Sequence, residues 1–134
     1  MANQRRKHHF WRNLLILIVL LGLFLCWDNS SIETDEVTFT SLALPAGFDG
    51  CRVVHLSDLH GKYFGEDNER LYAAVKAAQP EYIFVTGDLV DRKTENPTIY
   101  AGEVGTALSA IAPTYYVTGN HEWGHGTKVV EEIK

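Results

Sequence analysis

Residues 53–65 read "VVHLSDLHGKYFG" and change from apolar to polar within a few positions. The stretch opens with the apolar residues Val53 and Val54, a pattern that predicts a buried strand. Asp58 and His60 follow almost directly. In open α/β sheets, ligands bind beyond the carboxyl ends of the strands. Whether this carboxylate and imidazole belong to such a site depends on what the rest of the chain places beside them.

The residues around this stretch alternate between strand and helix patterns. Three runs predict buried strands and two predict the helices between them: strands over 51–57, 81–87 and 113–120, and helices over 66–79 and 98–111. Alternation of apolar and polar residues over 36–44 predicts a further, half-exposed strand, and another helix is expected to begin near Gly126. The order strand–helix–strand–helix–strand predicts an α/β fold with a parallel sheet.

Each of the three predicted buried strands ends in polar residues. The second ends in "TGDLVD", which contains Asp88, and the third in "TGNHE", which contains Asn120 and His121. Neighbouring strands lie about 4.8 Å apart, so carboxylates at this edge would repel one another without a cation between them. Carboxylate, imidazole and amide ligands together suit Zn, Mn or Fe. A carboxylate on the middle strand can bridge two ions, as in many sites that hydrolyse phosphate esters.

The three motifs together resemble those of a known family. The segments "DLH" (58–60), "GDLVD" (87–91) and "GNHE" (119–122) are similar to the pattern of calcineurin-like metallophosphoesterases. The resemblance implies the N-terminal βαβαβ half of a two-sheet α/β sandwich. With one membrane-anchor helix before it, which the apolar segment described below predicts, the chain looks like the membrane-bound branch of this family found in bacterial envelopes. The family pattern continues with a later histidine and a G-H-x-H segment. The domain over 36–134 is therefore expected to be truncated and, by itself, to have little activity.

The resemblance also implies a ligand set for two divalent ions, which would be Mn, Fe or Zn. Asp58 and His60 would bind the first ion, Asp88 would bridge both, and Asn120 would bind the second. The implied function is hydrolysis of a phosphate ester or diester by a metal-activated water.

Three further residues receive roles from the resemblance. His121 would donate a proton to the leaving alkoxide, with Asp91 as the partner that orients its ring. Arg92 could contact the phosphate or belong to a solvated loop. His125 follows His121 by four residues but lacks the G-H-x-H form, so we do not expect it to be a ligand.

The N-terminal segment "NLLILIVLLGLFLCW", residues 13–27, is strongly apolar and follows Arg5, Arg6, Lys7 and Arg12. Its uninterrupted part would span about 21 Å as a helix, against a hydrocarbon core of about 30 Å. We expect an uncleaved single-pass anchor in the cell membrane, because no A-x-A-like pair follows the run. A cleaved signal peptide and a soluble core helix are the alternatives.

The anchor divides the chain into segments with different charge. Residues 1–12 form a basic flank, predicted inside the cell, and residues 28–35 a polar linker to an extracytoplasmic domain. After residue 27 the chain holds all 17 acidic side chains but only eight of the 12 lysines and arginines. This excess of acid argues against nucleic-acid binding, which depends on Lys and Arg at phosphates.

The partners expected from this arrangement are the membrane and a phosphate-ester substrate. On location alone, lipid head groups and envelope-derived polymers are the candidate substrates. Two other readings stay open: a noncatalytic metal- or ligand-binding module displayed on the membrane, and an inactive fragment.

Overall fold

The computed structural model describes residues 2–28 and 31–133, and the chain divides into two units, residues 1–33 and 34–134. The first unit contains helix α1, Ala2–Asp28. Within the described residues, no helix has both the length and the apolar character needed to cross a membrane. Residues 13–27 are helical, whereas the anchor predicted there is not shown and stays a prediction.

The second unit is built on one parallel sheet. In its described residues three strands pair in the order β1-β2-β3, with Leu56 opposite Val85 and Val85 opposite Tyr116. The strands and the remaining helices have these bounds: β1 Val53–Leu56, α2 Glu69–Ala77, β2 Tyr82–Val85, α3 Pro97–Ser109, β3 Thr114–Tyr116, α4 Asn120–Gly124 and α5 Thr127–Ile133. The predicted α/β class and its strand–helix alternation are confirmed.

The helices cover one face of the sheet and leave the other open. In β2, Ile83 and Val85 are buried while Phe84 on the opposite face is 40% exposed. The residues of α2 and α3 that are buried are apolar and form one stripe on each helix. Helix α3 begins with Pro97, a residue that costs no hydrogen bond in the first turn of a helix. On the open face Tyr115 is 54% exposed, and its ring stacks on Phe84 at 5.5 Å.

Some predicted boundaries are wrong. Residues 36–44 form no strand, because no described strand offers this segment the backbone hydrogen bonds that a ladder requires. The helix predicted over 66–79 begins only at Glu69. The Asn68 carboxamide accepts a hydrogen bond from the Phe64 amide at 2.9 Å, and Asp67 and Asn68 have left-handed backbone, which ends the preceding 3-10 turn. The predicted third strand ends early, at Tyr116.

Tyr100 of α3 gives the fold a measurable dependence on alkaline pH. Its side chain is 3% exposed and its hydroxyl donates to the Lys62 carbonyl at 2.7 Å. Burial raises the pKa of Tyr100 to about 12.

The unfolded chain releases this proton near pH 10, so the contribution of Tyr100 to stability is complete below that pH and is lost as pH rises through the folded pKa. We expect the free energy of unfolding of the parent chain to fall between about pH 10 and pH 12. It should fall less in Tyr100→Phe, because phenylalanine has no proton to release. Urea titrations across this range measure the difference. An equal loss of stability at alkaline pH in both proteins would contradict the assignment to Tyr100. Tyr115→Phe is the matched control, because Tyr115 is exposed on the open face of the sheet.

Candidate metal centre

The carboxyl ends of the three strands meet at one edge of the sheet, where backbone hydrogen bonds fix the loops that follow β1 and β2. The Asp58 amide donates to the Gly87 carbonyl at 3.2 Å, and the His60 amide to the Asp88 carbonyl at 2.9 Å. The amide of Gly61 continues the series to Leu89 at 2.8 Å. The two loops therefore run side by side beyond the sheet and present their polar side chains together.

Three of these side chains form a group that can hold a metal ion. Asp58, His60 and Asp88 each offer one ligand atom, and these atoms lie within 4.8 Å of one another. His60 Nε2 and Asp58 Oδ1 are 3.7 Å apart. Two carboxylates and an imidazole are a donor set that suits Zn, Mn or Fe. Asp58 and His60 are exposed and Asp88 is half-buried, so solvent and substrate can reach this group.

The same three residues have unusual backbone geometry. Asp58, His60 and Asp88 all have positive φ, at 57°, 52° and 50°. Left-handed backbone is uncommon for residues other than glycine, and such conformations concentrate at functional sites where the surrounding structure holds them. Here the cross-loop hydrogen bonds hold them. The three ligand candidates, which come from two separate loops, therefore share the left-handed conformation.

Gly87 and Gly119, which follow β2 and β3, approach each other too closely for a side chain at either position. A Cβ on Gly87 would lie 2.7 Å from the Cα of Gly119. A Cβ on Gly119 would collide with Asp88 Oδ1 and lie 2.5 Å from the Asp88 backbone nitrogen. The two strand ends therefore pack backbone against backbone, which leaves Asp88 between them. This contact joins residues 32 positions apart, so the motifs that contain the two glycines do not reveal it.

Glu122 is the functional residue that sequence reasoning missed. Its side chain is fully buried, and its carboxylate accepts hydrogen bonds from the amides of Gly119 at 2.6 Å, Asp88 at 3.1 Å and Val90 at 3.1 Å. Burial acts to raise the pKa of Glu122, but these amides outweigh burial and lower it. Glu122 is the third residue of α4, and a glutamate that bonds back to the N-cap amide is half of a capping box. That pattern in "GNHE" could have revealed it.

His121 and Asp91, to which the resemblance gives the roles of proton donor and orienting partner, lie close to each other, and both roles stay predictions. His121 Nδ1 is 3.5 Å from Asp91 Oδ1, and among the described residues no atom forms a hydrogen bond with this buried nitrogen. The His121 amide donates to Asp88 Oδ1 at 2.9 Å, and its ring contacts the His60 ring edge to face at 4.7 Å. Burial acts to raise the pKa of Asp91, whereas the neighbouring backbone amides and the His121 and His60 rings lower it. The site thus favours an ionised carboxylate beside the His121 ring.

The remaining predicted residues surround this group. Asn120 is the first residue of α4 and is exposed, and its role as a ligand stays a prediction. Arg92 is also exposed and lies against Gly124, and its contact with phosphate stays a prediction. The His125 Nε2 lies 2.7 Å from the Asp91 carbonyl, to which it must donate because a carbonyl only accepts. His125 therefore ties the end of α4 to the loop that carries Asp91.

Comparison with known proteins agrees with this geometry. The family model for calcineurin-like phosphoesterases matches residues 51–132, and the chain belongs to that family. It is 38% identical over 117 residues to the uncharacterized metallophosphoesterase YkoQ of Bacillus subtilis, covering 82% of this chain and 43% of YkoQ. It is 34% identical over 110 residues to YkuE, another uncharacterized metallophosphoesterase of that organism, covering 76% of this chain and 37% of YkuE.

A vertebrate protein is also similar. Over 82 residues the chain is 30% identical to the transmembrane protein with metallophosphoesterase domain of Danio rerio, covering 60% of this chain and 18% of that protein. The chain thus spans less than half the length of each of these relatives. No solved structure matches the chain significantly.

Proposed function

We propose that the protein is a metal-dependent phosphoesterase that hydrolyses a phosphate ester or diester at a dinuclear site. The observation that carries the proposal is the convergence of Asp58, His60 and Asp88 within 4.8 Å at the carboxyl edge of the sheet. Family membership supports the same reaction class. A two-sheet sandwich, of which the described sheet would be one half, belongs to this proposal.

The ligands would be shared between two ions. Asp58 and His60 would hold one ion, Asp88 would contact both, and Asn120 would reach the second. When bound, such ions polarise phosphate oxygens and activate a water molecule near neutral pH. The second ion would have one shared carboxylate and one neutral amide among these residues, so we expect it to bind more weakly than the first.

The proton donor would be His121. Its Nδ1 faces Asp91 Oδ1 at 3.5 Å, which leaves Nε2 as the atom that can protonate the leaving oxygen. Asp91 would orient the ring and stabilise its protonated form. His125 would hold the Asp91 backbone through its 2.7 Å contact with the carbonyl, and Arg92 in the same loop would contact the substrate phosphate.

The direct test of this function is phosphate binding that depends on the metal. We expect inorganic phosphate to bind the chain in the presence of Mn²⁺ and not in the presence of a chelator. Calorimetry of phosphate into the Mn²⁺-loaded chain measures this. A chain that binds Mn²⁺ but no phosphate would contradict the phosphoesterase proposal and favour a noncatalytic metal-binding module.

Replacing His121 with asparagine is expected to separate metal binding from turnover. Mn²⁺ affinity should be unchanged, because His121 is not a ligand. In a protein that also carries the later histidine and the G-H-x-H segment of the family pattern, the variant should hydrolyse an alkyl phosphodiester about 100-fold more slowly. An aryl phosphodiester, whose leaving group needs less protonation, should be affected less. His55→Asn is the matched control, since His55 lies on the exposed sheet face and contacts Thr86. A loss of Mn²⁺ from His121→Asn would show that His121 is a ligand instead.

We further propose that the protein is held at the cell membrane by residues 13–27, with its N-terminus inside and residues 36–134 outside. The apolar run and the basic residues before it support this placement, as does the similarity to the Danio rerio protein that is named a transmembrane protein. A substrate drawn from lipid head groups or envelope polymers would follow from that location.

Protease accessibility tests the membrane placement. Protease added to intact cells is expected to remove the domain, and the N-terminus of the mature chain is expected to precede residue 13. Protection of the domain would contradict the orientation. An N-terminus near residue 28 would contradict the uncleaved anchor and support a signal peptide.

A further inference from the structure

Glu122 is the one fully buried acidic side chain among the described residues, and its position ties two strand ends together. Its Oε2 accepts from the Gly119 amide at 2.6 Å and from the Asp88 amide at 3.1 Å, while its Oε1 accepts from the Val90 amide at 3.1 Å. Gly119 lies in the segment after β3, whereas Asp88 and Val90 lie in the loop after β2. One carboxylate thus satisfies amides from both loops at the edge where the ligands gather.

A charged carboxylate is costly to bury unless hydrogen bonds or an opposite charge compensate for the water it loses. The three amides that donate to the Glu122 carboxylate supply this compensation, because hydrogen bonds to an ionised acceptor are shorter and stronger than hydrogen bonds between neutral groups. Glutamine has the same shape but only one accepting oxygen, and its NH₂ group would point at an amide that also donates. The arrangement therefore requires the carboxylate itself.

Asp88 is the ligand that this arrangement holds. Its amide is fixed by Glu122, its carbonyl accepts from His60, and its Oδ1 accepts from the His121 amide at 2.9 Å. His121 directly precedes Glu122 in α4. The left-handed backbone of Asp88, φ 50°, is therefore held by bonds at its amide, its carbonyl and its side chain.

We propose that Glu122 is a positioning residue of the metal centre. Its buried carboxylate holds the backbone of Asp88 in the conformation that brings the Asp88 side chain to Asp58 and His60. This inference rests on the proposed metal centre and adds a residue that touches neither ion nor substrate.

Mn²⁺ titration of the full chain and its Glu122→Gln variant tests the proposal, together with the amide proton shifts of Asp88, Val90 and Gly119. We expect Glu122→Gln to stay folded, to move these amide resonances upfield, and to weaken Mn²⁺ binding by at least about tenfold, as loss of a group that orients a ligand does. Glu131→Gln, an exposed acid of α5, should match the parent chain in both measurements.

A second variant keeps the test decisive if the glutamine protein does not fold. Glu122→Asp keeps the charge but is one methylene shorter, so it should hold the amides less well than the parent does. Its amide shifts should therefore lie upfield of the parent's, and its Mn²⁺ affinity should be lower than the parent's without being lost. A folded variant of either kind that has altered amide shifts and unchanged Mn²⁺ affinity would overturn the proposal. A parent chain that binds no Mn²⁺ would instead overturn the proposed function, while the amide shifts would still report the hydrogen bonds of Glu122.

Discussion

Alanine at position 119 is expected to destabilise the domain by about 3 kcal/mol or more. The added Cβ would meet the Asp88 carboxylate and lie 2.5 Å from the Asp88 backbone nitrogen, so backbone rather than a flexible side chain would have to move. The φ of Gly119 is −96°, a value that alanine adopts freely, so the expected cost is steric and not conformational. Moving Asp88 away would also separate it from Asp58 and His60, so Mn²⁺ binding should be lost with the stability.

Urea titrations of Gly119→Ala and Gly102→Ala measure this effect against a matched control. Gly102 lies in α3, and a Cβ there would meet nothing within 4 Å. Alanine at position 102 is expected to stabilise the helix by up to about 1 kcal/mol, because glycine has the greater backbone entropy to lose. Equal stabilities of the two variants would contradict the close approach of the two strand ends.

Replacing Asp88 with asparagine is expected to weaken Mn²⁺ binding by at least about 100-fold, since orienting groups alone are worth 10–100-fold. Asp88 supplies one of two carboxylates in the ligand group and is its half-buried member. The variant should also differ from the parent in its stability without an ion. Without an ion, Asp58 and Asp88 repel each other, so the ion-free Asp88→Asn protein should be at least as stable as the ion-free parent.

Calorimetric Mn²⁺ titration and urea titration in the presence of a chelator measure these two effects together. Asp49→Asn, at an exposed turn position outside the ligand group, should leave both unchanged. Retention of the parent's Mn²⁺ affinity in Asp88→Asn would remove Asp88 from the ligand set.

The chain's periodicity was sufficient to predict the order of strands and helices, because apolar runs such as 82–85 are separated by clear helix patterns. It also predicted that Asp58, His60 and Asp88 would meet, since the ends of neighbouring parallel strands must lie close together. Both predictions rest on local sequence and on the geometry of parallel sheets alone.

What sequence could not predict depends on contacts between loops. The start of α2 at Glu69 depends on the Asn68 side chain, which accepts from Phe64. The role of Glu122 depends on amides at Asp88 and Val90, more than thirty residues away along the chain. The segment 36–44 has the alternation of a strand but pairs with no described strand, and alternation cannot say whether a partner is present.

Line broadening by Mn²⁺ in the amide spectrum of the full chain tests the metal centre most directly, because a paramagnetic ion broadens the resonances nearest to it first. We expect substoichiometric Mn²⁺ to broaden the resonances of Asp58, His60 and Asp88 before those of other residues, with His121 next. Broadening that begins elsewhere, for example at the exposed acids Glu131 and Glu132 of α5, with the resonances of Asp58, His60 and Asp88 left sharp, would contradict it.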